Sequence, residues 1–318
     1  MKRFLPVLLA LPLLLATACG DDSPTSSSSS GGLTKITVAN AAVTNSASLV
    51  LGVEKGFFRS EGLDVKLKDT PPASTQAAVV SGDAQFGFTN VPAILVGASN
   101  GLPVRIVGPA GKFARDNDKV HIQVVVPKDS SIRSAKDLEG KKVAVDTLYQ
   151  LPHLSFIVSA RKTGVDTDTI TFVETPFSAM ADALAKGQVD AADLAEPFLS
   201  AALQKGDRSV LSNGSGFEPE TVQTMWITSA SYLAGNKATV DKFTRALKKS
   251  NEYAATHDTE VRQAITTYTK TSEQQSKQLL MPHFSATTDR DNFQTYVTTM
   301  KDLKVIKNDV DLDELFIR

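Results

Sequence analysis

Apolar and polar positions alternate from residue 33 onward in a pattern typical of repeated strand–helix–strand units. Short runs with apolar residues at every second position, such as 35–39 and 64–67, indicate strands, and longer amphipathic runs such as 46–55 indicate helices. Ser74, Asn90 and Ser178 stand where helix N-caps are expected. The predicted strands are 35–39, 64–67, 84–88, 104–107, 122–126, 142–145, 170–173 and 189–194. The predicted helices are 46–55, 74–82, 90–101, 151–163, 178–187, 239–255, 260–268, 273–281 and 289–303.

The alternation begins again near residue 142, which indicates two lobes. Residues 78–88 and 183–193 both contain the end of an alanine-rich helix, a glycine, an acidic residue and a strand. Repeated strand–helix–strand units imply parallel sheets with helices on both faces. The sequence therefore predicts an α/β fold of two lobes, each a mostly parallel sheet covered by helices, with a helical C-terminal segment.

The N-terminus has the pattern of a secretory signal peptide. Lys2 and Arg3 precede an apolar run, residues 4–15, which is shorter than the roughly 20 residues that a membrane-spanning helix needs. The following Ala18-Cys19 resembles the cleavage site of a bacterial lipoprotein, although Ala16 stands where leucine is usual. We expect residues 1–18 to be a signal peptide and Cys19 to carry a lipid; the alternative is a plain signal peptide with an incidental cysteine.

Residues 19–32 are rich in serine and glycine and contain almost no apolar side chains, so they are predicted to be a flexible tether. With a lipid on Cys19, this tether would hold the folded part near a membrane surface outside the cytoplasm. The protein is therefore expected to be membrane-anchored through its lipid.

Composition excludes several classes of function. There are 34 Lys and Arg residues against 35 Asp and Glu, so the net charge is −1 and no basic field favours nucleic acid. The single cysteine excludes an internal disulfide framework, an iron–sulfur cluster and a cysteine-rich zinc site. The four histidines have no metal-ligand spacing, and neither a phosphate-binding loop nor a Gly-x-Ser-x-Gly motif occurs. We predict no metal, no cofactor and no catalytic residue.

Four stretches, together with the C-terminal tail, resemble one family. They are residues 54–65, 81–88, 132–145 and 187–198, and they occur in the family's order. The family comprises the solute-binding proteins of ABC importers for nitrate, aliphatic sulfonates, taurine and thiamine-pyrimidine precursors. The resemblance extends over nearly all of residues 33–318.

The resemblance implies a periplasmic-binding-protein-like clamshell of type II that the chain crosses twice. We expect lobe 1 to comprise residues 33–120 and 222–318, and lobe 2 residues 121–221. Ligand would bind between the lobes and stabilise their closure by a hinge motion. The implied partners are a small-molecule ligand and an ABC permease with its ATPase, and a monomer is expected.

Candidate ligand-binding residues follow from the rule that cleft residues lie just after strands and at helix N-termini. In lobe 1 they are Asn40, Thr44, Asn45, Ser46, Ser74, Thr75, Thr89 and Asn90. In lobe 2 they are Asp146, Thr147, Tyr149, Gln150, His153, Glu174, Phe177 and Glu196. Each has a structural alternative: the hydroxyl and amide residues could cap helices, Tyr149 and Phe177 could pack within the lobe, and Glu196 could begin a helix.

The candidates in lobe 1 carry hydroxyls and amides, whereas those in lobe 2 include Asp146, Glu174 and Glu196. Carboxylates repel an anion, so the set favours a ligand with amine, amidine-like or hydroxyl donors, such as an aminopyrimidine. An aminosulfonate such as taurine stays open as a compromise. Two further functions stay open: a lipoprotein that presents its ligand to a sensor, and a pyrimidine-precursor synthase, although the resemblance ties that enzyme to a cysteine-rich iron motif that one cysteine cannot supply.

Overall fold

Two five-stranded sheets form the framework of the part of the chain that the computed structural model describes, residues 32–116, 119–288 and 290–317. The strands are β1 (Thr34–Asn40), β2 (Leu63–Asp69), β3 (Phe86–Asn90), β4 (Val104–Lys112), β5 (Ile122–Val126), β6 (Lys142–Val145), β7 (Thr171–Glu174), β8 (Ala191–Ala195), β9 (Arg208–Ser212) and β10 (Val222–Ser229). The predicted signal peptide, Cys19 and all but the last residue of the tether lie outside the described residues. No helix within the described residues is long and apolar enough to cross a membrane.

Helices occupy most of the remaining chain. They are α1 (Ala47–Glu54), α2 (Phe57–Ser60), α3 (Pro72–Ser81), α4 (Val91–Ser99), α5 (Leu151–Lys162), α6 (Phe177–Ala185), α7 (Phe198–Gln204), α8 (Ala230–Gly235), α9 (Lys237–Ala254), α10 (Asp258–Tyr268), α11 (Glu273–Ser276), α12 (Asp291–Asp302) and α13 (Leu312–Leu315). A 3₁₀ turn, Thr44–Ser46, links β1 to α1.

The two sheets have the same topology. The first has the order β2-β1-β3-β10-β4 and the second β7-β6-β8-β5-β9. In each sheet the first three strands in these orders are parallel, and the fourth is antiparallel to both of its neighbours. Four strands of each sheet therefore run in one direction, and the exception is the strand by which the chain enters from the other sheet.

The chain passes between the sheets twice, in residues 113–121 and 213–221. The two crossings touch: the backbone N–H of Phe113 donates a hydrogen bond to the carbonyl of Thr221 at 3.0 Å. We propose the lobe limits expected from the sequence, 33–120 with 222–318 and 121–221, and use the names lobe 1 and lobe 2 for these residues below.

Helices pack on both faces of each sheet, because successive strand residues point in opposite directions. In lobe 2, Val124 packs in a cluster with Phe156 of α5, whereas Val125 packs with Leu199 of α7. Lobe 1 repeats this arrangement. One cluster joins its sheet to α1 and α9, and another joins it to α4 and α12. The central strands β3, β5, β8 and β10 are buried on both faces, as expected for layered α/β proteins, whereas the edge strands β2, β7 and β9 are partly exposed.

A short segment after α11, residues 278–280, joins the two lobes a third time. Leu279 belongs to a buried cluster with Leu51 of α1, in lobe 1. Its neighbour Leu280 packs instead against the cluster that contains Leu199, in lobe 2. Consecutive residues are thus anchored in different lobes, and we call this segment the strap.

Proline shifts two helix starts away from their predicted caps. Helix α3 begins at Pro72 with Pro71 as N-cap, and α6 begins at Phe177 with Pro176 as N-cap, so neither Ser74 nor Ser178 is a cap. Proline suits these positions because the first helical N–H groups have no partner inside the helix. The predicted cap at Asn90 is confirmed, since its Oδ1 accepts a hydrogen bond from the N–H of Ala93 at 2.8 Å.

Gly216 offers a test of the packing between the second crossing and α5. A Cβ at this position would lie 2.7 Å from the backbone nitrogen of Ser159, which cannot move independently of its helix. We expect Gly216→Ala to lower the free energy of unfolding by about 1–3 kcal/mol, measured by urea denaturation.

The matched control is Gly235→Ala, because a Cβ at Gly235 meets nothing within 4 Å. That change should leave stability unchanged or raise it by up to about 1 kcal/mol. Equal effects of the two substitutions would contradict the close packing at Gly216.

Candidate functional site

A small cavity of about 70 Å³ lies between the lobes, at the carboxyl ends of the parallel strands. We call it the inner chamber. Its lining residues from lobe 1 are Val43, Asn45, Pro72, Ala73, Phe88, Asn90 and Thr224, and those from lobe 2 are Ile122, Asp146, Thr147, Gln150, Leu151, Pro152, Phe177 and Ala195. Each lobe therefore supplies about half of its wall.

The strands by which the chain enters each lobe form part of this wall. Thr224 of β10 is paired with Asn90 at the end of β3, and Ile122 of β5 is paired with Ala195 at the end of β8. All four residues line the inner chamber. The crossings thus bring the carboxyl ends of β3 and β8 to the same cavity.

Six of the sixteen candidates from the sequence line the inner chamber: Asn45, Asn90, Asp146, Thr147, Gln150 and Phe177. Each follows a strand or begins a helix, as the rule for such sites requires. The structure brings these six side chains together from positions more than 130 residues apart in the sequence (45 to 177).

Amide side chains of lobe 1 are held in place by hydrogen bonds. Asn45 donates from Nδ2 to Oε1 of Gln223 at 3.1 Å and to Oγ1 of Thr224 at 3.3 Å. Asn90 caps α4 through its oxygen and still lines the chamber. Capping and a position in the cavity wall therefore coexist in one residue.

Asp146 is the only charged side chain among the residues described as lining the inner chamber. It is half-buried, and its Oδ2 accepts a hydrogen bond from the hydroxyl of Thr147 at 3.3 Å. Burial raises the pKa of this carboxyl and the neighbouring charge of Glu174 raises it further, whereas hydrogen bonds from Thr147 and the backbone of Phe177 lower it. The bond from Phe177 places the carboxylate at the N-terminus of α6, where the helix dipole favours negative charge.

The other two candidate carboxylates lie outside the inner chamber. Glu174 is exposed, and its Oε1 accepts a hydrogen bond from the N–H of Leu148 at 2.8 Å, which fastens the loop after β6. Glu196 is buried and accepts hydrogen bonds from the hydroxyl of Ser200 at 2.6 Å and the N–H of Leu280 at 2.9 Å. Glu196 therefore binds the first turn of α7 through Ser200 and holds the strap through Leu280.

His153 and Tyr149 stabilise the loop between β6 and α5. The N–H of Tyr149 donates to Nδ1 of His153 at 2.8 Å, and burial lowers the pKa of His153 to about 4, so the imidazole is neutral at physiological pH. Tyr149 itself is 44% exposed and has a φ of 60°.

Most of the remaining candidates are buried and do not line the chamber. Asn40, Thr44, Ser46, Thr75 and Thr89 are buried. The hydroxyl of Ser46 donates to the carbonyls of Ala41 at 2.8 Å and Val43 at 3.0 Å, which shapes the turn after β1.

Ser74 is exposed on the first turn of α3 and does not line the inner chamber. Thr224 and the apolar wall residue Phe88 were missed from the sequence. Phe88 lies inside a predicted strand, whereas the rule for cleft residues selects positions just after strands and at helix N-termini. Thr224 lies in a strand that was not predicted.

A buried polar pair lies under α5 in lobe 2. Asp193 of β8 is fully buried, and its Oδ1 accepts a hydrogen bond from Nδ2 of Asn213 at 2.8 Å. Burial, with a smaller contribution from the charge of Asp146, raises the pKa of Asp193 to about 7, although the hydrogen bond from Asn213 opposes the shift. Among the described residues, no cluster of three or more His, Cys, Asp or Glu side chains could hold a metal ion.

The family model described as NMT1/THI5 like matches residues 43–261, which is more than half of the chain. The protein belongs to this family. The chain is 26% identical over 234 residues to a Bacillus subtilis (strain 168) protein whose provisional name is binding protein YtlA, in a match that covers 71% of this chain and 67% of that protein. It is also 25% identical over 221 residues to the 4-amino-5-hydroxymethyl-2-methylpyrimidine phosphate synthase of Aspergillus parasiticus, covering 65% of this chain and 62% of the synthase.

Solved structures confirm the predicted fold class. The alkanesulfonate-binding protein SsuA from Xanthomonas axonopodis pv. citri, bound to MOPS, matches with a TM-score of 0.75 and 17% identity, over 90% of this chain and 99% of that one. The fold is therefore that of the two-lobed periplasmic-binding-protein-like α/β proteins.

The buried Asp193 predicts a pH-dependent stability. A carboxyl with a raised pKa contributes stability that is fully present below its ordinary pKa of 3.8 and is lost as the pH rises through about 7. We expect the Tm of the wild-type protein to fall relative to that of Asp193→Asn between about pH 5 and about pH 8, because the amide does not titrate.

Asp182→Asn, which changes an exposed carboxylate on α6, serves as the control and should follow the wild type at every pH. Parallel Tm curves for wild type and Asp193→Asn, measured by scanning calorimetry, would show that Asp193 does not titrate in this range.

Proposed function

We propose that this protein is an extracytoplasmic solute-binding protein of an ABC importer, which captures a small donor-bearing ligand between its lobes. The proposal rests mainly on one observation: a cavity lined from both lobes, in which Asp146 is the single charged side chain among the described lining residues. Membership of the NMT1/THI5-like family and the relative named as a binding protein support it.

Ligand binding would favour the closed arrangement of the lobes. A molecule in the inner chamber touches Asn45 and Asn90 of lobe 1 and Asp146 and Gln150 of lobe 2 at once. A ligand shifts a conformational equilibrium only by its difference in affinity between the two states, and only the closed state offers both sets of contacts. The hinge for this motion is the pair of adjacent crossings.

The chamber suits amine or amidine-like donors better than an oxyanion. Helix N-termini bind anions through free N–H groups, but proline occupies a first-turn position in three helices that reach the chamber: Pro72 in α3, Pro92 in α4 and Pro152 in α5. No lysine or arginine stands among the described lining residues to compensate. A carboxylate that accepts charge-assisted hydrogen bonds from an amine or an aminopyrimidine fits this wall.

An aminosulfonate such as taurine fits less well. Its ammonium would be placed at Asp146, but its sulfonate would face the amides and hydroxyls of lobe 1 without a cationic partner. The enzyme alternative also fits less well, although one relative is named as a synthase. The resemblance ties such enzymes to a cysteine-rich iron motif, and this chain has one cysteine. We propose a binding protein without catalytic residues.

The proposed location and partners follow from the N-terminal sequence and the family. We propose that residues 1–18 direct export, that Cys19 carries a lipid, and that residues 19–32 tether a monomer to the membrane. The ligand-bound form would then deliver its cargo to a permease and its ATPase.

Asp146→Asn tests the proposed ligand class. The substitution keeps the shape of the side chain and an acceptor oxygen but removes the charge, so we expect affinity for 4-amino-5-hydroxymethyl-2-methylpyrimidine to fall about 10- to 100-fold, measured by isothermal titration calorimetry. Asp182→Asn, in which the carboxylate is exposed on α6, should bind as the wild type does.

Nitrate, taurine and an alkanesulfonate are titrated in parallel. Tight binding of nitrate or the sulfonate that survives or improves in Asp146→Asn would refute the donor-bearing ligand. If Asp146→Asn and Asp182→Asn both lost affinity for the pyrimidine, the loss in Asp146→Asn could not be assigned to the chamber.

A further inference from the structure

A second and larger cavity, of about 360 Å³, lies beside the inner chamber. We call it the outer chamber. Its wall includes Ala42 of lobe 1, Ser178, Phe198 and Ala201 of lobe 2, and Tyr268 and Leu279 near the strap. Like the inner chamber, it is bounded by both lobes.

The two chambers are immediate neighbours. On lobe 1, Ala42 lines the outer chamber and the next residue, Val43, lines the inner one. On lobe 2, Phe177 lines the inner chamber and Ser178 the outer one. Two pairs of consecutive residues, one from each lobe, therefore separate the cavities.

Non-covalent contacts hold this partition. The hydroxyl of Tyr268 donates to the carbonyl of Val43 at 2.9 Å on the lobe 1 side. On the lobe 2 side, Phe177 stacks on Phe198 with ring centroids 5.8 Å apart and planes 16° apart. Because the two halves of the partition belong to different lobes, a hinge opening would join the chambers into one cleft.

The volumes show that the inner chamber is too small for a whole ligand. At about 70 Å³ it offers the space of roughly two water molecules, whereas sites for small organic ligands usually measure about 300–1,000 Å³. The outer chamber, at about 360 Å³, is by itself large enough to fall within that range. The inner chamber has room for the donor group of a ligand but not for its body.

We infer that the cleft binds an elongated ligand, with an amine- or amidine-type head at Asp146 in the inner chamber and a flat or apolar body in the outer chamber. This inference rests on the proposed function and extends it from the head of the ligand to its length. Phe198, Tyr268 and Leu279 supply apolar and aromatic surface for the body, and Ser178 supplies a hydroxyl. The wall also includes one carboxylate, Asp69, and one ammonium group, Lys270.

The test compares acetamidine with benzamidine, which share the amidinium head and differ only in the body. Titrations of the full protein are followed by ligand-observed NMR and calorimetry. We expect wild type to bind benzamidine at least ten times more tightly than acetamidine.

Two substitutions block the outer chamber from different helices. Ala201→Phe on α7 and Ser178→Phe on α6 should each remove most of the gain shown by benzamidine and leave acetamidine affinity unchanged, which also shows that the variant is folded. The matched control is Ala185→Phe, because Ala185 is exposed on α6 and lines neither chamber. It should keep the tenfold preference.

The outcomes separate the two proposals. If acetamidine binds and benzamidine gains nothing, or if the gain survives both blocking variants, the outer chamber does not hold the ligand body, and the proposed function stands. If neither amidine binds to the wild type at millimolar concentration, the donor-bearing ligand class is wrong and the inference falls with it.

Discussion

The hydrogen-bonded pair of crossings is the constraint on which the site depends. Phe113 and Thr221 join the two passages of the chain between the sheets, and each passage ends in a strand inserted next to the last parallel strand of its sheet. This insertion places Thr224 beside Asn90 in one lobe and Ile122 beside Ala195 in the other. The ends of β3 and β8 consequently meet at one cavity, which all four of these residues line.

The electrostatic character of the cleft depends on the N–H donors that are missing from the helix N-termini as well as on the carboxylate that lies at one of them. Convergent helix N-termini normally create a positive environment with free N–H donors. Here the prolines in the first turns of α3, α4 and α5 remove donors, and the carboxylate of Asp146 occupies the start of α6. The chain thus combines the fold of an alkanesulfonate-binding protein with a chamber wall whose described residues include one carboxylate and no lysine or arginine.

Sequence patterns predicted strands and helix caps well where residues close in the sequence determine them. Strand β6 was predicted to the residue, and the cap at Asn90 was confirmed, because a β-branched run and an amide before a helix act locally. Strand β10 was missed, since it mixes Gln223 and Thr224 with apolar residues and is buried along its whole length.

The direction of a side chain is harder to predict. Glu196 follows a strand, as a cleft residue should, but Ser200 lies one turn later and Leu280 is 84 residues away, and together they bind its carboxylate. Asp146 and Glu196 both directly follow a strand, yet Asp146 lines the chamber and Glu196 is held by one local contact, from Ser200, and one distant contact, from Leu280.

The strap has a mechanical consequence. A hinge formed by two adjacent crossings alone would resist sliding of the lobes past each other but would permit both opening and twisting. Leu279 and Leu280, anchored in different lobes, add a fastening on a separate element. If the lobes move about the crossings as proposed, a fastening away from that hinge would oppose twisting of the lobes more than opening of the cleft.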